Sequence, residues 1–185
     1  MAYTLEHFVN DLDAITSVES DGAAITAKAA PLLKRLCLNP DAIPAEYRTA
    51  PAGQRGRYLL HRAPRFNVTS VIWRPGDEAG SHDHETWGLV GVVENEIQET
   101  RYTSSGKRDL GGKVTLGVKE VLRHKPGAVS ALVPPHDEIH AMHNPTQRDT
   151  IEIHVYGKEL AGLQRHTFDK DGTVKSLVSS KHMNC

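Results

Sequence analysis

The feature that most constrains the fold is a change in the period of the apolar residues near residue 57. After this point apolar residues recur at every second position within short segments, which is typical of β-strands. Turn-forming clusters such as Arg74-Pro75-Gly76-Asp77 and Lys125-Pro126-Gly127 separate these segments. Many short strands at roughly 8–12-residue spacing predict a β-sandwich or barrel. The predicted strands are 58–61, 66–73, 86–93, 96–102, 114–122, 128–133, 150–156, 164–168 and 174–178.

The N-terminal part of the chain has a different pattern, which predicts helices. Leu5, Phe8 and Leu12 recur at steps of three and four residues and would form one apolar face of a helix. Segment 23–38 is rich in Ala, Leu and Lys, and its Pro31 is expected near a helix start or at a kink. Two helical segments therefore precede the strands.

The length of the chain suits a single domain with its own core. At 185 residues the chain can bury a sizeable apolar interior. We expect a mainly β domain in which residues 1–56 form a helical arm and loop and residues 57–178 form a β-barrel. The arm is expected to cover one face or edge of the barrel.

The charge balance and composition argue against several classes of partner. The net charge is −1, with 22 Lys and Arg against 23 Asp and Glu, which gives no electrostatic basis for binding nucleic acid or an anionic membrane. No apolar run of about 18 residues is present. The first residues contain neither a basic segment nor an apolar one, so we expect no signal peptide. Two distant cysteines make no disulfide framework, and we expect a cytoplasmic monomer or small homo-oligomer.

Histidines in two segments suggest a metal site. In the segment Gly76-x5-His82-x-His84, an extended backbone would send both imidazoles to the same side. On its own, such a pair is equally consistent with ordinary polar strand residues. A second segment, 135–144, places His140 at a turn just before a strand, and His143 is the alternative third ligand. Imidazole ligands suit Fe, Zn, Cu or Ni.

Together the two segments resemble the two sequence motifs of the cupin superfamily. Pro135, His140 and Asn144 match the second motif, although Asp137 stands where glycine is usual. The resemblance implies a cupin double-stranded β-helix, which is a jelly-roll barrel, here with an N-terminal α-helical segment. It also favours His140 over His143 as the third ligand.

The ligand set departs from the usual cupin pattern. Cupins typically carry a glutamate ligand about four residues after the second histidine, and here that place holds Gly88. Glu85 is adjacent to His84 and is expected to point away. Three histidines without a carboxylate resemble the thiol dioxygenases, the family of cysteine dioxygenase. This resemblance implies Fe(II) held by His82, His84 and His140, with O2 and a small-molecule thiol as substrates.

Residues further along the chain extend the resemblance. The strand that contains His154 and Tyr156 is similar to the Ser-x-His-x-Tyr relay of those enzymes, with Glu152 in place of the serine. Arg165 falls where bacterial 3-mercaptopropionate dioxygenases carry a carboxylate-binding arginine. Trp87 is a candidate pocket residue, with a position in the core as the alternative. The expected catalytic residues are therefore His154, Tyr156 and Glu152, and the expected substrate-binding residues are Arg165 and Trp87.

Several functions remain compatible with these residues. The leading hypothesis is dioxygenation of a 3-mercaptopropionate-like thiol to its sulfinate. Alternatives are a cysteine or mercaptosuccinate dioxygenase, a non-thiol cupin dioxygenase, and a non-catalytic cupin that binds a metal or a small molecule. Four further arginines are read as solvated by default, although one could bind a second carboxylate if the substrate is a dicarboxylic thiol. They are Arg57, Arg62, Arg74 and Arg101.

Overall fold

The computed structural model describes residues 2–39 and 41–185. Within these residues the chain forms two α-helices, α1 (Leu5–Val18) and α2 (Gly22–Cys37), and one 3-10 turn (Ala45–Tyr47). Eleven strands follow: β1 (Gly56–Arg62), β2 (Asn67–Trp73), β3 (Glu78–His82), β4 (Gly88–Glu94), β5 (Ile97–Ser105), β6 (Thr115–His124), β7 (Val129–Leu132), β8 (His140–His143), β9 (Thr150–Tyr156), β10 (Gln164–Phe168) and β11 (Val174–Val178). In this part of the chain no helix is both long and apolar enough to cross a membrane.

The strands form two antiparallel sheets, which confirms the predicted mainly β fold. One sheet has the order β1-β2-β9-β4-β7 and the other β11-β10-β3-β8-β5-β6. From β2 to β10 the chain passes repeatedly from one sheet to the other, and only the β5–β6 hairpin interrupts the alternation. This connectivity is that of a double-stranded β-helix, the jelly-roll arrangement that was expected.

The two helices cover the outer face of the five-stranded sheet. Thr4 caps α1 by accepting a hydrogen bond from the backbone N–H of His7, and Asp21 caps α2 in the same way through Ala24. The predicted apolar stripe is buried, with Phe8 and Leu12 fully inaccessible. Pro31 lies inside α2 rather than near its start. The helical arm therefore packs on one face of the barrel.

Strand β9 shows how the alternating pattern separates two environments. Ile151, Ile153 and Val155 face the helices and belong to the core beneath them. Tyr156 faces the opposite way, into the second core between the two sheets, where Trp73 also lies. Because all seven residues of β9 are buried, its polar side chains must find partners inside the protein.

Two strands, β3 and β8, lie outside the predicted strand ranges, and both adjoin the histidine motifs. Strand β3 ends at His82, and β8 has only four residues and begins at His140. Neither segment has the alternation of apolar and polar residues that identified the other strands. The histidine pair is not carried by one strand, because His84 lies in the loop after β3.

We expect the contact of α2 with the sheet to contribute substantially to stability. Leu33 is fully buried, and a Cβ at Gly91 would lie only 3.0 Å from its Cγ, so helix and sheet are in close contact here. Leu33→Ala should lower the free energy of unfolding by about 2–5 kcal/mol, because it leaves a cavity. Urea denaturation followed by circular dichroism measures this change.

Val18→Ala is the matched control, since Val18 is 85% exposed at the end of α1. This variant should unfold within about 0.5 kcal/mol of the parent protein. Equal effects of the two substitutions would contradict the packing described for α2.

Candidate metal centre

Three histidines from the two predicted segments meet between the sheets. The ring centroids of His82, His84 and His140 lie 4.8, 4.9 and 4.9 Å apart, at the corners of a nearly equilateral triangle. One ligand nitrogen from each ring lies within 4.8 Å of the other two. The structure thus brings together the three residues that the sequence proposed as ligands.

Strand pairing and a tight loop bring these rings together. His82, the last residue of β3, is paired directly with His140, the first residue of β8. His84 follows in the loop, where Glu85 adopts a positive φ of 55° and turns the chain towards β4. Two imidazoles are therefore positioned by backbone pairing and the third by the loop.

Each imidazole makes a hydrogen bond through Nδ1 that fixes its tautomer. The Nδ1–H of His82 donates to the carbonyl of Gly80 at 2.8 Å, and that of His84 donates to the carbonyl of Glu138 at 3.2 Å. His140 Nδ1 lies 2.6 Å from a carboxylate oxygen of Glu99. Because these oxygens accept, the proton resides on Nδ1 and the lone pair on Nε2. Three Nε2 lone pairs are left for a metal.

The surroundings of His82 and His84 also favour neutral rings, the form that binds metals. Burial lowers the pKa of His84 well below its usual value, and the neighbouring His82 and His140 lower it further. The pKa of His82 is lowered in the same way by desolvation and by His140. The donor set therefore fits a divalent ion of the kind that imidazole prefers, such as Fe, Zn, Cu or Ni.

A buried carboxylate holds the loop that carries His84. Glu138 accepts hydrogen bonds from the backbone N–H groups of His84 and Glu85, both at 3.0 Å. Its other oxygen pairs with Arg108 at 2.6 Å, and Arg108 also contacts the buried Asp83 at 3.3 Å. The backbone of the loop is thus held in place by charged groups from other parts of the barrel.

Glu99 is the outer partner of His140. It is fully buried and accepts hydrogen bonds from His140 at 2.6 Å, His124 at 2.7 Å and the Ser130 hydroxyl at 3.0 Å. Burial opposes ionisation, but the hydrogen bonds from His124 and His140 outweigh it and hold the pKa of Glu99 well below its usual range. A carboxylate in this position orients a ligand imidazole and increases its basicity.

The expected relay residues form a hydrogen-bonded chain on β9. His154 Nε2 lies 2.9 Å from Oε2 of Glu152, and His154 Nδ1 lies 3.0 Å from the hydroxyl of Tyr156. The same Oε2 accepts from the indole N–H of Trp73 at 2.6 Å, whereas Oε1 of Glu152 has no partner among the described residues. Glu152 lies behind His154, and the ring of Tyr156 stacks on His84.

Gly88 leaves no room for a fourth ligand. A Cβ at this position would lie 2.7 Å from two atoms of the Tyr156 ring, closer than side chains tolerate. The position at which cupins usually carry a glutamate is therefore filled by the aromatic ring of Tyr156.

A small cavity opens beside the three imidazoles. Its inner part has a volume of about 80 Å³, and it leads to an outer depression of about 430 Å³. Tyr156 and His154 line the inner cavity. Arg55, Arg57 and Arg165 line both the inner part and the outer depression.

The structure corrects one expected substrate contact. Trp87 does not line the cavity, because Gly88 faces Tyr156 and the preceding side chain therefore faces the opposite side. The indole packs between Gly22 of α2 and Gly157, where ideal Cβ atoms would lie 2.9 and 2.4 Å from Trp87. Trp87 is thus partly buried and packs against the core beneath the helices.

Other histidines and acids lie away from the three imidazoles. His143 lines a separate depression at the far end of β8. Glu85 points away, as expected, and its carboxylate lies 3.4 Å from His166. Together with Asp83 these two form a second group of possible ligands, but Asp83 already pairs with His166 and Arg108.

The sequence did not identify Glu99, Glu138 or Arg55 as residues of the site, and it did not predict the position of Arg57. Arg57 was read as solvated by default, yet it is half-buried and lines the cavity. Arg101 was read in the same way and is buried. Glu99 lies on β5 two residues after Ile97, so the period of two puts it on the same buried face, and this was the available indication of its role.

No protein-family model matches the sequence. Among solved structures, the chain is similar to an uncharacterised double-stranded β-helix protein from Klebsiella pneumoniae, with 17% identity, a TM-score of 0.45, and 77% of this chain and 96% of that chain covered. A cupin superfamily protein from Desulfitobacterium hafniense has 12% identity and a TM-score of 0.43, with 66% and 89% covered. A cupin domain from Bordetella pertussis has 16% identity and a TM-score of 0.40, with 60% and 100% covered.

Glu99→Gln tests the outer partner of His140. The amide keeps the shape but removes the charge, so metal affinity should fall about 10- to 100-fold. Competition with a chromogenic chelator, using Zn(II) and Co(II) separately, measures the dissociation constants.

Glu120→Gln is the matched control, because Glu120 is an exposed carboxylate 3.9 Å from the neighbouring Arg101. It should leave metal affinity unchanged. If Glu99→Gln also binds both metals as tightly as the parent protein, Glu99 does not tune His140.

Proposed function

We propose that this protein is an Fe(II)- and O2-dependent dioxygenase that converts a small carboxylated thiol to its sulfinate. One observation carries the proposal: three imidazoles converge on a cavity that also contains a tyrosine–histidine relay and buried guanidinium groups. Of the functions compatible with a metal-binding barrel, this one uses all three groups.

The overall reaction balances without a further reductant. A thiol, R–SH, and one O2 give a sulfinic acid, R–SO2H, so sulfur loses four electrons and O2 gains them. Both oxygen atoms enter the product. When bound, Fe(II) would supply the Lewis acidity that favours the thiolate and the redox chemistry that O2 requires.

The three-histidine set suits an anionic sulfur ligand. Neutral imidazoles leave the full charge of a divalent ion uncompensated, whereas a carboxylate ligand would reduce it. Because Gly88 and Tyr156 exclude a side chain at the usual carboxylate position, the positions facing the cavity stay open to substrate. Holding two reactants in one small cavity gives the advantage of proximity.

Arg165 is suited to binding the substrate carboxylate. Its side chain is almost fully buried at the cavity wall, where it donates to the carbonyl of Asp83 and to the hydroxyl of Ser179 at 2.5 Å. Both partners are neutral acceptors and hold the guanidinium without neutralising it. A carboxylate in the cavity would therefore meet an oriented positive charge.

The relay on β9 can take up the thiol proton. As a carboxylate, Glu152 accepts from His154 Nε2–H, so His154 Nδ1 accepts the proton of the Tyr156 hydroxyl. The lone pairs of the Tyr156 oxygen then face the cavity. Burial raises the pKa of Tyr156 to about 12, which disfavours a free phenolate. A proton passed to Tyr156 would thus be accompanied by transfer of the tyrosine proton to His154.

An oxygen electrode tests the proposal directly. Protein loaded with Fe(II) should consume one O2 per thiol with at least one of 3-mercaptopropionate, cysteine, cysteamine and mercaptosuccinate. The sulfinate should be found by mass spectrometry with both atoms from labelled O2. Protein loaded with Zn(II) is the control and should consume none.

Cysteamine, which lacks a carboxylate, should be the poorest of the four thiols because it cannot bind Arg165. Iron-loaded protein that oxidises none of the thiols would falsify the proposed function.

Glu152→Gln should move the acidic limb of the pH–rate profile to lower pH. Burial lowers the pKa of His154, whereas the carboxylate of Glu152 raises it. Removing that charge lowers the pKa further, so neutral His154 persists to lower pH. Steady-state O2 consumption between pH 5 and pH 9 measures the shift.

Glu159→Gln removes a more exposed carboxylate just beyond the same strand and should leave the profile in place. An unchanged profile in Glu152→Gln would mean that Glu152 only supports the position of His154.

A further inference from the structure

Three buried or half-buried arginines at the cavity lack an acidic partner. Among the described residues, Arg55, Arg57 and Arg165 form no salt bridge, although other buried arginines do. Arg101 contacts Asp137 at 2.8 Å, and Arg108 contacts Glu138 at 2.6 Å. This fold therefore provides carboxylates for its buried arginines except where they line the cavity.

The partners of these three guanidiniums are neutral. Arg165 contacts the Asp83 carbonyl and Ser179, and its Nε is buried with no hydrogen-bond partner. Arg57 donates to the carbonyl of Ser180 at 3.3 Å. Such contacts orient a guanidinium but leave its charge unbalanced, and unbalanced buried charge is costly in a protein.

Arg57 on β1 and Arg165 on β10 belong to different sheets, and both line the inner cavity and the outer depression. Burial lowers the pKa of both groups, and each lies near Tyr156. Arg57 also lowers the pKa of Arg165, which reflects repulsion between the two charges. A ligand that binds both would relieve this repulsion as well as the desolvation.

Arg55 occupies a different role at the mouth of the cavity. Its guanidinium lies 3.6 Å from the centre of the Trp73 ring and donates to the carbonyl of Glu78 at 2.8 Å. These contacts hold it over the indole, where it adds positive potential to the cavity, although its Nε is buried without a hydrogen-bond partner among the described residues.

No acidic side chain balances this charge inside the cavity. The described residues that line the inner cavity include none of Asp or Glu. Glu152 is the nearest buried acid on β9, and its Oε2 is engaged by His154 and Trp73. With the imidazoles neutral, the cavity has an excess of positive charge before any metal binds.

We propose that the cavity binds a dianion, with one carboxylate on Arg165 and a second on Arg57. The ligand class is a small dicarboxylic acid, and the substrate is a thiol whose sulfur-bearing carbon chain carries both carboxylates. The thiol part of this inference rests on the proposed function, but the selectivity for dicarboxylates does not.

Binding to metal-free protein tests the two-carboxylate site without any turnover. Isothermal titration calorimetry should show succinate binding about tenfold or more tightly than propionate, because one further charge-assisted pair is formed. The iron-loaded protein should show the same ranking in kcat/KM for mercaptosuccinate over 3-mercaptopropionate.

Substitutions assign the second carboxylate to Arg57. Arg57→Met should reduce the preference for succinate to less than about twofold, because succinate loses one of its two charged contacts. Arg165→Met should weaken both ligands. Arg57→Lys keeps the charge and should retain part of the preference. This variant keeps the test decisive if the methionine variant fails to fold. The control is Arg62→Met, on the same strand but exposed and paired with Glu159, and it should bind both ligands normally.

The possible outcomes separate this inference from the proposed function. Equal affinities for succinate and propionate, or a preference that survives in Arg57→Met, would overturn the two-carboxylate site. Succinate selectivity without O2 consumption on any thiol would support the site and reject the dioxygenase. Oxidation of 3-mercaptopropionate without a preference for dicarboxylates would support the dioxygenase and reject the two-carboxylate site.

Discussion

The candidate metal centre depends on three hydrogen bonds that point away from it. Each imidazole can offer Nε2 to an ion only if its Nδ1 proton has an acceptor behind the ring. The acceptors come from three different places: the Gly80 carbonyl within β3, the Glu138 carbonyl before β8, and the carboxylate of Glu99 on β5. The closed barrel is what brings these acceptors into one shell, so the site is a property of the whole fold.

Charge is distributed unevenly around this shell. Behind the imidazoles the buried acids Asp83, Glu99 and Glu138 are each engaged by cations or histidines. In front of them the cavity wall carries guanidinium groups without acids. An ion bound by the imidazoles would add to the positive side. This asymmetry suits anionic ligands. It also separates the arginines that have carboxylate partners from those at the cavity that have none among the described residues.

Some of this arrangement could be predicted from the sequence, because short-range spacing determines it. The period of two in β9 places Glu152, His154 and Tyr156 on one face whatever the rest of the chain does. The positions of Trp87 and Arg57 depend instead on which sheet face the helices cover and on where β1 joins the sheet. Glu99 becomes the partner of His140 only through the pairing of β5 with β8. Such long-range relations have no local pattern, so they required the structure.

The contact between Gly88 and Tyr156 has a consequence for how the ligand set can change through mutation. A single base change can convert a glycine codon to a glutamate codon, so the usual cupin glutamate could arise at position 88 by one mutation. However, a Cβ at position 88 would lie 2.7 Å from the Tyr156 ring, so the ring sterically excludes the glutamate side chain. A fourth ligand would require a second change at Tyr156, and the intermediate with one change would carry a crowded core. The cluster of three histidines is therefore protected by epistasis between two paired strands, because Gly88 on β4 lies opposite Tyr156 on β9.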